Sequence, residues 1–328
     1  MATAGVGWRP STTGSAAGYL TALASLLPLP LPVGPELAER WLGLAEVAAA
    51  DLSVARLFEG HTDALAILAE GSHPAAPDRT YGVWASQAGG TAVTATVVAG
   101  GDLVLDGTRP YASGASSLDT ALLTVDADAG PLLVAVDLAS DGVHVAEGSW
   151  QALGMGASDS TTVHLRGVRV GAADVVGPPG FYLQRPGFWP GAVGVAACWF
   201  GGAVGVVQPL VGAAVEGRLD AHGLAHLGQT WADLEAAAAL LAVTAGRLAG
   251  CGERTAASLR LDAETVRSVV ERVAVSAIDA VARSLGPGPL TGDRVHAQRV
   301  ADLGVYVRQH HAERDHAELG RLLGERRW

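Results

Sequence analysis

The chain has 328 residues, 49% of them apolar and 17% charged, with a formal net charge of −11: enough chain for a sizeable core, too apolar for disorder, and too acidic for nucleic acid, whose phosphates need clustered basic side chains. All 22 basic residues are arginine, which excludes Schiff-base chemistry, a pyridoxal-phosphate lysine and a Walker A phosphate loop. Cys198 and Cys251 are too few for a disulfide framework or a Cys-rich zinc site, and a reduced, cytoplasmic setting is the default expectation.

Residues 1–19 contain no basic segment leading directly into an apolar run, so no cleaved signal peptide is expected. Pro28, Pro30, Pro32 and Pro35 end any preceding helix near Leu27. Residues 36–69 carry apolar side chains at helical spacing, such as Leu37, Trp41, Leu44 and Val47, and predict two or three short helices, with Asp51 capping the second. Pro74 and Pro77 mark a linker over 73–79. Beyond it, short runs dense in Val, Thr and Leu at 91–98, 103–106, 121–125, 132–136, 143–146, 161–165 and 168–170 alternate with turn residues, the pattern of an antiparallel barrel or sandwich. After Gly177-Pro178-Pro179-Gly180 the strands stop, and four helical stretches near 190–217, 223–250, 262–285 and 293–323 predict a four-helix bundle. The expected organisation is α+β: a short N-terminal helical domain over 1–79, a β domain over 80–177 and a helical bundle over 178–328. The uncharged stretch 191–207 is long enough to approach a membrane span, but Gln208, Pro209 and the absence of a basic flank favour a buried helix instead. Its Gly201 and Gly205 place it by expectation at the centre of an oligomer.

Two blocks carry chemistry. Tyr111-Ala112-Ser113-Gly114 follows a strand-like segment, and alternation along an extended chain puts the ring and the hydroxyl on one side. Ser158-Asp159-Ser160 leads into the 161–165 strand. Read alone, Tyr111 fills the wall of the β domain and Ser113 caps a turn. In this order, and followed by a helical C-terminal half, the blocks resemble the acyl-CoA dehydrogenase family of flavoproteins from about Glu36 to Leu323.

That resemblance implies FAD between the β domain and the bundle. Tyr81-Gly82-Val83-Trp84, running on to Gly89-Gly90, holds the register in which the family opens its β domain, so Val83 and Trp84 would lie beside the isoalloxazine, with Gly89 and Gly90 allowing close backbone approach. Tyr111 would pack on the ring, and Ser113 would donate near flavin N5. Arg218 and Gln229 have the spacing of the pair from which the family draws its pyrophosphate contact in a neighbouring subunit, and Gly286 and Gly288 fall where it has a Gly-rich loop over the adenosine end. Without the resemblance, Arg218 reads equally well as a solvated cation at a helix end.

The chain also departs from the family. Dehydrogenation of an acyl thioester needs a carboxylate base, and in the last helix its usual position holds Arg308; the alternative stretch from Phe188 to Ala192 has no carboxylate either. His310 is the nearest residue able to titrate near neutrality and is the candidate base or donor, the plainer reading being a polar face among Arg308, Glu313, Arg314 and Asp315. With only Asp315 and His316 near His310 and His311, no metal is expected. Three functions stay open: an FAD-dependent oxidoreductase acting on a small acyl substrate such as a CoA thioester, a non-catalytic subunit sharing flavin with a related chain, and a monooxygenase-type enzyme in which His and Ser replace the base. A homo-oligomer or heteromer is expected in each case, with no membrane span.

Overall fold

Asp51 separates two helices and starts the second: its backbone is extended and its carboxylate accepts the Val54 amide proton at 2.9 Å, satisfying an end donor that the helix cannot. These are α1 (Leu37–Ala50) and α2 (Leu52–Glu70) in a computed structural model that describes residues 16, 18–20, 23, 29, 34, 36–86, 88–249 and 255–324. The expected helix end near Leu27, Gln87 and Cys251 lie outside the described residues. Helix α2 buries polar as well as apolar residues, including Glu59, His61, Thr62 and Asp63, because it lies between the helical core and the sheet.

The sheet has seven strands: β1 (Tyr81–Trp84), β2 (Val93–Val97), β3 (Leu103–Ala112), β4 (Thr120–Ala127), β5 (Gly130–Asp137), β6 (Val143–Ala146) and β7 (Thr161–Val170). The order is β1-β4-β2-β3-β7-β6, with β5 paired to β4. Most pairs are antiparallel as the turn pattern implies, but β4 runs parallel to β1 and to β2, making the sheet mixed. The segments 161–165 and 168–170 form one strand whose irregularity near Gly167 leaves pairing to β3 intact, and β3 extends through Ala112, so Tyr111 and Ser113 fall at its end. Gly114 follows at φ 73°, and a Cβ there would lie 2.6 Å from Leu118 and 3.2 Å from Leu57 of α2. Only glycine lets the strand turn that tightly against the helix.

Helices α3 (Phe181–Gln184), α4 (Phe188–Val215), α5 (Ala221–Leu248), α6 (Ala256–Leu285), α7 (Gly288–Gly292), α8 (Arg294–Tyr306) and α9 (Glu313–Gly324) complete the described chain. Among the described helices α4 alone is long and apolar enough to cross a membrane, yet 72% of its apolar window is buried by the rest of the fold. Its small-residue stripe packs within the chain: a Cβ on Gly201 would stand 2.0 Å from the Ala45 carbonyl oxygen of α1, and one on Gly205 2.7 Å from that of Ala49. The close-packing partner expected from a second subunit is thus α1 of the same chain.

The stretch 293–323, expected as one helix, is two. Helix α8 tightens into a 3-10 turn at Val307–Gln309, His310 is extended and Ala312 takes φ 46° before α9 begins. Local hydrogen bonds hold the break: the Ala312 amide donates to His310 Nδ1 at 3.2 Å, and the His311 amide to Asp315 at 2.9 Å. Side-chain acceptors that compete with the helix ladder are the physical reason periodicity alone misses it.

Candidate active site

A cavity of about 930 Å³ opens between the sheet, α2 and the bundle. Its sheet wall is Val83, Trp84, Ala85 and Ser86 from β1 and the segment after it, with Tyr111 and Ser113 from the end of β3. Trp84 is buried and donates its Nε1 proton to the Ser113 carbonyl at 3.0 Å, locking the two strand ends together. Arg109, fully buried, donates to the carbonyl oxygens of Ser86 and Thr124 and fixes the segment leaving β1. Burial lowers its guanidinium from the ordinary value. Tyr111 has φ 55° and remains 55% exposed, its ring meeting Trp150 edge-on at 6.4 Å.

Behind Ser113 lies a row of buried hydroxyls: Ser113 Oγ to Ser160 Oγ is 2.8 Å, Ser160 Oγ to Ser158 Oγ is 2.8 Å, and Ser158 Oγ donates to the Met155 carbonyl at 2.7 Å. Asp302 of α8 accepts the Met155 amide proton at 2.5 Å, and a Cβ on Gly154 would meet the Ala301 carbonyl oxygen at 2.0 Å, so α8 clamps the loop that carries this row.

The opposite wall is charged. Arg56, Glu59 and Asp63 project from α2, and Arg185 and Tyr182 from α3 and its end. Arg185 is paired with Asp63 at 3.2 Å and Glu70 at 3.3 Å, while Arg56 holds Glu59 at 2.6 Å. Burial pushes the Glu59 carboxyl above its ordinary value, with Arg56 pulling the other way. From the bundle side, Arg267 lies 4.8 Å over the Trp199 ring and donates to the carbonyls of Ala192 at 2.9 Å and Gln309 at 3.2 Å. Tyr306 reaches the cavity with its hydroxyl against the buried Cys198 thiol, and its ring meets Trp199 edge-on at 6.4 Å.

Of the residues singled out in the sequence, the cavity brings together Val83, Trp84, Tyr111, Ser113, Ser158, Ser160 and Arg308, with His311 and Asp315 at the same wall as Arg308. Arg308 is held by Glu271 at 2.5 Å. His310 sits behind the wall, 1% exposed. Its Nδ1 accepts the Ala312 amide proton, so the neutral ring carries its proton on Nε2 and gives it to Ser268 Oγ at 3.2 Å. Burial lowers its pKa from the ordinary value. Glu271, His310 and His316 offer ligand atoms within 4.8 Å of one another, but Glu271 is engaged by Arg308 and both ring nitrogens of His310 by the protein. Gly89 and Gly90 have φ 70° and 72° and face open space. Arg218 is exposed and paired with Glu216 at 2.5 Å, Gln229 bonds Asp233 at 3.0 Å, and Gly286 and Gly288 flank the turn from α6 to α7; none of these lines the cavity within one chain.

The sheet wall has the groups a planar ring needs: it offers a tyrosine, a buried hydroxyl and the segment from Val83 to Ser86 beside one open space. The residues missed from sequence are on α2 and α3. Their signal was present, since Arg56, Glu59, Asp63 and Glu70 recur at helical spacing on an otherwise apolar helix, placing charges on one face.

No protein-family model and no curated protein matches the sequence. Solved structures do match in fold. Dibenzothiophene monooxygenase (TdsC) from Paenibacillus sp. A11-2 superposes with a TM-score of 0.75 at 20% identity, over 95% of this chain and 98% of that one. KijD3 in complex with FMN and dTDP-3-amino-2,3,6-trideoxy-4-keto-3-methyl-D-glucose gives 0.78 at 18% identity, over 94% of this chain and 86% of that one. Butyryl-CoA dehydrogenase from Megasphaera elsdenii gives 0.73 at 17% identity, over 86% of this chain and 81% of that one.

Proposed function

From the acyl-CoA dehydrogenase fold that the chain adopts, we propose that it is a flavin-dependent oxidoreductase of the monooxygenase type, with the isoalloxazine against Val83, Trp84, Tyr111 and Ser113 and a small-molecule substrate between ring and α2. The carrying observation is Arg308. By the family resemblance it takes the place of a dehydrogenase's carboxylate; it lines the cavity tied to Glu271, and a guanidinium cannot take a proton near neutral pH. That disfavours the acyl thioester as substrate. When bound, a reduced flavin would supply two electrons to dioxygen, one oxygen atom entering the substrate and the other leaving as water. The chain's own part is to hold the ring on a rigid strand end, to exclude water with Trp150 and Tyr182, and to orient the substrate with the α2 charges. Glu59, a buried carboxylate facing the cavity with a raised pKa, is the group best placed to exchange a proton with the substrate.

FAD is the form that the family resemblance implies, whereas KijD3 is a complex with FMN. The two share everything but the adenylate. Arg218, Gln229, Gly286 and Gly288 lie away from this chain's cavity, so contacts from them to an FAD adenylate would come from a second copy, and a single chain contacts only the half common to both flavins. The test is turnover with reduced flavin under isotopically labelled dioxygen, using indole and amino-keto dTDP-sugars as first substrates, beside an acyl-CoA assay with an artificial electron acceptor. Label in the product is expected. Fast acyl-CoA oxidation without label, or a chain that binds no flavin, would overturn the reading.

A further inference from the structure

The row of serines behind the cavity has a direction. A hydroxyl has one proton to give and two lone pairs to receive. The Met155 carbonyl can only accept, and it is fixed: besides Ser158 Oγ it takes the Trp150 Nε1 proton at 2.9 Å and the Ser158 amide proton at 3.1 Å. Ser158 therefore spends its hydroxyl proton on Met155, and the 2.8 Å bond to Ser160 is donated by Ser160. Ser160 then has no proton left, and the 2.8 Å bond between Ser160 and Ser113 is donated by Ser113. All three side chains are buried, Ser158 completely, so solvent competes little for these protons.

We propose that Ser158 and Ser160 are positioning residues which, anchored on the Met155 carbonyl, fix the Ser113 hydroxyl as a hydrogen-bond acceptor toward the cavity. The group that Ser113 recognises must then be a donor. This rests on the flavin reading above, and on that reading it reverses the role of donor to N5 expected for Ser113. The N5 atom of the oxidised ring is an acceptor, whereas N5–H of the reduced ring is a donor. Reduced flavin bonds Ser113 with the row intact. Oxidised flavin gains a bond from Ser113 only if Ser113 abandons Ser160, so it gains one hydrogen bond fewer.

The test is equilibrium binding of oxidised and of reduced FMN to the full-length protein under anaerobic conditions. Wild type is expected to favour the reduced form. Ser160→Ala takes away the acceptor that holds the Ser113 proton, and Ser158→Ala lets Ser160 donate to Ser113 instead; either change frees the Ser113 proton for the cavity. Each should lower the preference for reduced over oxidised flavin by up to about tenfold, the size of one net hydrogen bond, or about 30 mV in the two-electron midpoint potential. Ser160→Thr keeps the hydroxyl and should keep the wild-type ratio. A purely structural role would lower stability and leave the ratio alone. Flavin bound with the same ratio in wild type and both alanine variants would overturn the directed row while leaving the flavin site standing. Binding of neither form by wild type would overturn both.

Discussion

The two walls of the cavity are built on different principles. The sheet wall is held by short-range geometry: Tyr111 lies near the end of β3 with Ser113 just past it, Trp84 ends β1, and backbone carbonyls take the protons of Trp84 and Arg109. The α2 wall is held by long-range charge, with Arg185 reaching back across the chain to Asp63 and Glu70. The first arrangement ties backbone segments of the sheet to one another. The second places buried ionised groups beside the cavity, where each is stable only while its partner stays.

The sharpest way to break that comparison is Arg185→Ala. It strands Asp63 and Glu70 in a buried site, and the expected cost is about 3–5 kcal/mol, measured by urea unfolding. Ser113→Ala, on the other wall, should stay below about 1.5 kcal/mol. Equal losses would mean that the walls do not differ in kind.

A pH titration sharpens it on α2 itself. His61 accepts the Tyr81 amide proton at 3.2 Å, and burial pulls its pKa down to about 4 from the ordinary 6.5. Between those values the unfolded chain binds a proton that the folded chain refuses, so stability is complete above pH 6.5 and falls as pH drops toward 4, by about 3 kcal/mol in all. His61→Asn should flatten that part of the profile, followed by chemical denaturation at each pH. An unchanged slope would show that other groups set it.

Further from the cavity, Gly201→Ala should cost about 1–3 kcal/mol, because the added methyl would meet the Ala45 carbonyl oxygen at 2.0 Å and α4 must shift from α1. The smallest stability effect belongs to Arg218→Ala, within about 0.5 kcal/mol for an exposed side chain. Its readout is flavin: FAD affinity is expected to fall and FMN affinity to stay, the mark of an adenylate contact supplied by a second copy. Equal affinities for both flavins in wild type and variant would remove Arg218 from the site.

The contrast also explains what the sequence made legible. The sheet-wall residues sit in contiguous blocks of the sequence, but the expected alternation does not place them: Tyr111 takes φ 55° at an irregularity in β3 and Ser113 lies just past the strand's end, so a local break in the extended chain brings both to the cavity. The order of helices, strands and helices was visible in the change of hydrophobic period near residue 80 and again after Gly180. The parallel pairing of β4 with β1 and β2 was not, since strand direction depends on connections that no local pattern records. The α2 wall was hidden for a related reason: Arg56, Glu59 and Asp63 look like the solvated face of an amphipathic helix until the sheet and α3 are placed over them. His310 follows Arg308 in the chain, but the break in the helix turns its ring into the core, behind the cavity wall.

We propose that the flavin belongs to the sheet wall and the substrate to α2. Equilibrium titration of FMN into Tyr111→Ala and Glu59→Gln tests it most directly. Tyr111→Ala is expected to bind FMN about tenfold more weakly, the loss of a ring contact together with its share of buried area, and Glu59→Gln to bind it as wild type does. The reverse pattern, FMN lost with Glu59 and retained without Tyr111, would contradict the assignment of the two walls.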